Sequence, residues 1–174
     1  MSPAPFAPEA DPRGFRHALG AFATGVTVVT ARGPGGAPVG ITANSFASVS
    51  LDPPLVLWSP ARASRRFGAF AQAPAFAIHV LAADQQALCD AFVRPEQEGL
   101  AFAEGPEGLP LIDGCLARFL CRLHALADGG DHAVLIGRVF EASRRDGEPL
   151  VFHAGRYGTF GARPEPHPSP DAAA

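Results

Sequence analysis

The stretch at residues 39–58, VGITANSFASVSLDPPLVLW, constrains the chain more than any other. Val39, Gly40 and Ile41 lead in, and Leu55, Val56, Leu57 and Trp58 lead out. Two apolar strands are therefore expected, joined through a polar bend of small residues. Thr42, Asn44, Ser45, Ser48 and Ser50 interleave there with Ala43, Phe46, Ala47 and Val49. Such alternation suits a strand with one face in a core and the other against something polar. Asp52-Pro53-Pro54 stops it, because each proline lacks an N–H and restricts the residue before it. A solvent face would normally carry Lys and Glu. A row of neutral hydroxyls and amides suits instead a flat, polar-edged ligand, although a Ser/Thr-rich strand can also be purely structural.

Size and charge narrow the classes. The chain has 174 residues, 47% hydrophobic and 18% charged. That is one globular domain, long enough to bury about two thirds of its unfolded surface. A net charge of −3 argues against nucleic acid, which selects basic faces. The 18 prolines and 19 glycines punctuate short strands, favouring an all-β or α+β fold over a helical bundle. No window holds the run of about 20 apolar residues that a membrane helix needs. The opening MSPAPFAPEADP lacks the features of a signal peptide, so a cytoplasmic location is expected. Cys89, Cys115 and Cys121 are odd in number and lack CxxC spacing. They read as buried small residues in a reducing compartment. The histidines form neither HxH nor HExxH, so no metal site is expected.

Taken in order, residues 1–10 are Pro/Ala-rich and read as a disordered arm, and residues 11–162 form the domain. Asp11-Pro12 opens a helix, with Asp as N-cap and Pro at the first helical position. Phe15, Ala18, Leu19 and Phe22 make one apolar stripe on it, and Gly25 is placed to end it. Residues 26–31 read as a buried strand. Gly33-Pro34-Gly35-Gly36 is a turn leading to another strand, not to a helix, so a dinucleotide-binding loop lacks its context.

Ser64 reads as the N-cap of a helix carrying Phe67 and Phe70. A helix start offers free N–H groups, and Arg62, Arg65 and Arg66 would make it an anion site, most simply for a phosphate. The same residues fit an ordinary capped surface helix with its arginines in water. Residues 75–81 are a strand, and the lone His79 within it reads as a core residue. Asp84 is placed to cap a helix bearing Leu88, Ala91 and Phe92. The loop at 95–108 is acidic and irregular. Residues 115–127 and 132–142 are strands joined by Asp128-Gly129-Gly130-Asp131, a strong hairpin signal. A short strand at 150–153, then Gly155-Arg156-Tyr157-Gly158, precede a tail at 163–174 that reads as disordered. About seven short strands with peripheral helices suggest a closed antiparallel barrel with Greek-key links.

TANSFASVSLDPPLVL, with ATGVTVVT upstream and GDH at residues 130–132, resembles the flavin reductase family, the NAD(P)H:flavin oxidoreductases that serve two-component monooxygenases. The resemblance covers residues 15–160, with three motifs in the family's order. It implies a mainly β FMN-binding split barrel, a homodimer with flavin near the interface, FMN or FAD as flavin, and NADH or NADPH as reductant. NADH is mildly preferred, since no Arg can be tied to a 2′-phosphate. It also implies site residues. Thr42, Ala43, Asn44 and Ser45 would line the flavin ring and ribityl chain, much of it through backbone amides, and Ser48, Val49 and Ser50 would continue that wall. Ser59, Ala61, Ser64 and Arg65 would hold the flavin phosphate. His132 matches the family's GDH histidine on the nicotinamide side, the catalytic candidate; by its residues alone it could simply hydrogen-bond the hairpin end. Arg156 and Tyr157 would contact NADH. No nucleophile–base–acid set is visible, which fits hydride chemistry carried by a cofactor. The competing readings are a flavin-binding split-barrel protein that does not use NAD(P)H, as an oxidase or flavin carrier, and a non-enzymatic module.

Overall fold

The computed structural model describes residues 4–94 and 100–162. Residues 4–10 are exposed and end in a turn at 8–10, whose last N–H groups donate to the Ala7 carbonyl. The rest of the expected N-terminal arm, the 163–174 tail and the 95–99 part of the irregular loop lie outside the described residues.

Asp11 caps α1 (Pro12–Gly20) as expected, its carboxylate accepting the Gly14 N–H at 2.9 Å. The helix stops at Gly20, earlier than Gly25. The Ala21 and Phe22 N–H groups reach back to Ala18 and Leu19, which tightens and ends the last turn. Gly25 instead belongs to strand β1 (Thr24–Gly25). The apolar stripe of α1 finds no core among the described residues: Phe15 is 43%, Leu19 59% and Phe22 77% exposed.

The strands that follow are β2 (Thr27–Arg32), β3 (Pro38–Ala43), β4 (Ala47–Leu51), β5 (Pro54–Trp58), β6 (Ala75–Val80), β7 (Ala103–Glu104), β8 (Pro110–Leu111), β9 (Ala117–Gly129), β10 (His132–Arg144), β11 (Leu150–His153) and β12 (Arg156–Thr159). Twelve strands among the described residues exceed the seven expected, because very short pairs carry no periodicity to read. Seven of them do form the main antiparallel sheet, in the order β3-β2-β6-β9-β10-β5-β4. β1, β11 and β12 make a second sheet, and β7 pairs with β8. Residues 39–58 thus hold three strands, not two. The Ser-rich part folds back on β5 as its own strand, pairing Ser48 with Val56 and Ser50 with Leu55 across a bulge.

The two edges of the main sheet, β3 and β4, are consecutive in the chain. The sequence pattern suggested a closed barrel, but strand pairing does not close it; the 44–46 bend joins its edges covalently. β9 and β10 form the long hairpin, with Gly130 at φ 74° as the first of two turn residues, where glycine is favoured.

The barrel interior packs Val29, Trp58, Phe76, Ile78, Cys121 and Leu135 around Phe70 of helix α2 (Phe67–Gln72). Helix α3 (Gln86–Val93) lies against β3, with Cys89 and Phe92 buried. Gly40 permits that approach, since a Cβ there would fall 2.3 Å from the Phe92 ring. Asp84 does not cap α3. It sits in a single preceding turn, and the Gln85 side chain caps that turn by accepting the Ala82 N–H at 3.0 Å.

His79 is wholly buried in β6. Its Nδ1 donates to the Val28 carbonyl at 3.0 Å, and its Nε2 accepts the Ile112 N–H at 3.2 Å. Burial pulls its pKa from 6.5 down to about 4, so it is a neutral core residue, as its lone position in a strand suggested. The three cysteines are buried and free. Among the described residues no helix is long and apolar enough to cross a membrane, and no cluster of ligating side chains could hold a metal ion.

Candidate functional site

The bend that joins the barrel's edges also lines a cavity. Residues 41–45, residues 58–61 and His132 enclose a space of about 220 Å³. Long-range pairing assembles it. β10 pairs with β5, setting Leu135 opposite Trp58. Beyond β5, the Ala133 N–H donates to the Pro60 carbonyl at 3.1 Å, and the Arg62 N–H to the Asp131 carbonyl at 2.9 Å. The β9–β10 tip is thereby stitched to residues 60–62, and His132 is brought beside Ala61.

The hydroxyls do not all face the cavity as free groups. Ser45 Oγ accepts the Ser59 N–H at 2.9 Å and donates to the Ser59 carbonyl at 3.3 Å, tying the bend to the end of β5. Thr42 Oγ1 donates to the Cys89 carbonyl at 2.8 Å. Asn44 is exposed. Ser48, Val49 and Ser50 run along β4, outside this cavity. Trp58 is buried, and its indole Nε1 has no hydrogen-bond partner among the described residues.

The expected anion site differs in construction. Ser64 is not an N-cap: α2 begins at Phe67, and Ser64 Oγ accepts only the Arg66 N–H, at 3.3 Å. A helix of six residues offers little dipole. Arg62 is spent on Asp128, at 2.7 Å, and on the Gly130 carbonyl. Arg66 holds the carbonyls of Phe92 and Arg94, closing the end of α3. Arg65 alone has no such bond among the described residues. It lines a cleft of about 230 Å³ with Ser64, Arg66 and Val93. One unengaged cation beside a hydroxyl therefore replaces the cluster of three.

His132 is partly exposed, and its Nδ1 lies 2.7 Å from Asp131 Oδ1. That hydrogen bond, and then the imidazolium charge, hold the Asp131 carboxyl below its ordinary range. Tyr157 lies on the other side of the bend, in a cavity of about 170 Å³ with Val26, Thr42, Ala43, Asn44 and Phe152. Arg156 is exposed and lines none of these cavities, since neighbours in a strand point to opposite faces. Asp131, Trp58, Cys89 and Phe152 escaped sequence reasoning. Asp131 adjoins the GDH histidine and carried a usable signal; the others join the site only through distant partners.

Comparison with known proteins places this arrangement. A family profile described as the flavin reductase like domain matches residues 19–161. The FMN reductase (NADH) SmoA of Agrobacterium fabrum is 57% identical over 153 residues, 85% of this chain and 86% of that protein. HsaB of Rhodococcus jostii, the reductase subunit of a flavin-dependent monooxygenase, is 43% identical over 151 residues, 84% of this chain and 77% of that protein. The NADH:FAD oxidoreductase SgcE6 of Streptomyces globisporus, solved in complex with NAD and FAD fragments, matches with a TM-score of 0.84 at 37% identity, covering 98% of this chain and 99% of that one. The fold is the mainly β, antiparallel split barrel of these reductases. With the profile spanning most of its length, the chain belongs to the flavin reductase-like domain family.

Proposed function

We propose that this chain is an NAD(P)H:flavin oxidoreductase, passing a hydride from a reduced nicotinamide to FMN or FAD, with NADH the preferred donor. Its product, reduced flavin, leaves for a separate flavin-dependent monooxygenase in the cytoplasm. The observation that carries this reading is the cavity at the 44–46 bend: small, uncharged, and faced by His132. The residues present suit a flavin. A flat ring needs a neutral wall, and Arg65 with Ser64 offers a cation and a hydroxyl to a phosphate.

When bound, the flavin supplies the redox chemistry, accepting the hydride directly, so no side chain need act as a base. The protein contributes stacking distance and orientation. Thr42, Ala43, Asn44 and Ser45 form the wall, continued along β4 by Ser48, Val49 and Ser50. Ser59 and Ala61 lead from it to Ser64 and Arg65 at the phosphate. His132, steadied by Asp131, faces the nicotinamide, which Arg156 and Tyr157 help to hold. A second copy of the chain completes the unit near the flavin. The uncovered Phe15, Leu19 and Phe22, with Val49 at 44% and Leu51 at 94% exposure, give it apolar surface to cover.

The test is NADH oxidation by the purified chain with and without added flavin. Oxidation that requires flavin supports the reading; flavin binding without any NADH oxidation sinks it. Separating reductase and a flavin-accepting oxygenase by a dialysis membrane, at low oxygen, then tests release. Product formed across the membrane is expected.

A further inference from the structure

Cys89 is fully buried, yet it does more than fill space. α3 sets it between β3 and β12. Its carbonyl accepts the Thr42 hydroxyl at 2.8 Å, and its thiol donates to the Tyr157 hydroxyl at 3.2 Å. Thr42 and Tyr157 are walls of one cavity, shared with Val26, Ala43, Asn44 and Phe152. The inventory of protons decides what that cavity offers. Thr42 has given its only proton to Cys89, so Oγ1 is left as an acceptor. Tyr157 has accepted the thiol proton, and its own O–H has no other partner among the described residues, so it is left as a donor. A tilted contact with Phe152, with ring centroids 5.2 Å apart and planes 55° apart, fixes the Tyr157 ring but not the direction of its hydroxyl. The thiol fixes that.

We propose that Cys89 is a positioning residue that presents Thr42 as acceptor and Tyr157 as donor to one ligand edge, an edge carrying an N–H beside a carbonyl. This rests on the reading of the chain as a flavin reductase, which supplies two ligands with that chemistry: the carboxamide of the nicotinamide and the imide edge of the flavin ring.

The experiment compares Cys89→Ala, Cys89→Ser, Tyr157→Phe and the Cys89→Ala/Tyr157→Phe double variant. Flavin Kd, KM for NADH, kcat and thermal midpoint are measured for each. Cys89→Ala should weaken one ligand roughly threefold to tenfold, the scale of one hydrogen bond, with kcat little changed. Cys89→Ser, which restores a donor, should recover most of the loss. The double variant should be no worse than Tyr157→Phe, because Cys89 acts through the phenol. A loss in KM for NADH assigns the edge to the carboxamide, and a loss in flavin Kd assigns it to the ring. A second readout is independent of activity. Tyr157 is the single tyrosine, so its phenolate absorbance can be titrated alone. Burial pushes its pKa above the ordinary 10.0, and Cys89 is its hydrogen-bonding neighbour, so Cys89→Ala should shift this titration away from that of the wild type. Additive losses in the double variant, an unmoved tyrosine titration, or losses on both ligands that track a fall in thermal midpoint would overturn the proposal. Should Cys89→Ala not fold, Tyr157→Phe must still lose the affinity that Cys89→Ser keeps. A wild type that oxidises no NADH sinks the functional reading alone; flavin binding and the tyrosine titration still decide the role of Cys89.

Discussion

His79 and His132 both belong to the main sheet, and their surroundings give them opposite properties. His79 lies within β6 with no exposure and both ring nitrogens bonded to backbone groups. His132 opens β10 at the hairpin tip, its side chain 43% exposed, with Nδ1 against Asp131 and its ring beside the bend cavity. The first ring is held so completely that it has no capacity left for a ligand. The second is fixed on one side and open on the other, the arrangement a ligand-facing group requires. What separates a structural histidine from a functional one here is the number of hydrogen-bonding positions that the fold leaves unspent.

The largest expected effect tests the buried member. The His79 pKa is near 4 in the fold and 6.5 when unfolded. The unfolded chain therefore binds more protons between those values, so the contribution of His79 is present above pH 6.5 and is lost as pH falls toward 4. About 3 kcal/mol should disappear across that window in urea unfolding, from the cost of about 1.4 kcal/mol per pKa unit. His79→Gln should flatten this slope even though the variant starts less stable. A wild type whose stability is level from pH 7 to 4 would break the comparison.

His132→Ala should leave the fold intact and act on turnover. Loss of one positioned group should lower kcat/KM for NADH on the order of 10²-fold, with little change in flavin affinity. Equal losses in turnover and flavin binding, or a loss confined to stability, would return His132 to the class of His79.

Two smaller effects sharpen the contrast between spent and unspent groups. Arg65 is the cation of its segment without a partner among the described residues, so Ser64→Ala with Arg65→Ala should weaken flavin binding roughly fivefold to tenfold, scaled for an exposed charge. Unchanged affinity would move the phosphate elsewhere. Ser45 is spent on Ser59. Ser45→Ala should therefore cost about 1 kcal/mol of stability, one hydrogen-bonding group, and weaken flavin binding less than the Ser64/Arg65 pair does. A larger effect on binding than on unfolding would make Ser45 a direct ligand contact.

Local rules in the chain were enough for much of the frame. Asp11-Pro12 opens α1 because a carboxylate satisfies an N–H three residues on. Residues 27–32 form a buried strand because β-branched apolar runs bury well. Gly130 turns β9 into β10 because the turn needs positive φ. The TANS and GDH segments, read by resemblance, do meet at one cavity. The tertiary structure decided the rest, because a group's partner is a long-range property that no local pattern encodes. Arg62, Arg65 and Arg66 look alike in the sequence. Only the fold spends Arg62 on Asp128, 66 residues away, and Arg66 on the end of α3, leaving Arg65 open. The stripe of α1 is as regular as a core stripe, yet nothing among the described residues covers it. Cys89 carries no motif, and it reaches the site through Tyr157, 68 residues on. Periodicity and capping act over one or two turns, whereas sheet order, and with it which hydroxyls and cations remain free, is settled by packing across the whole chain.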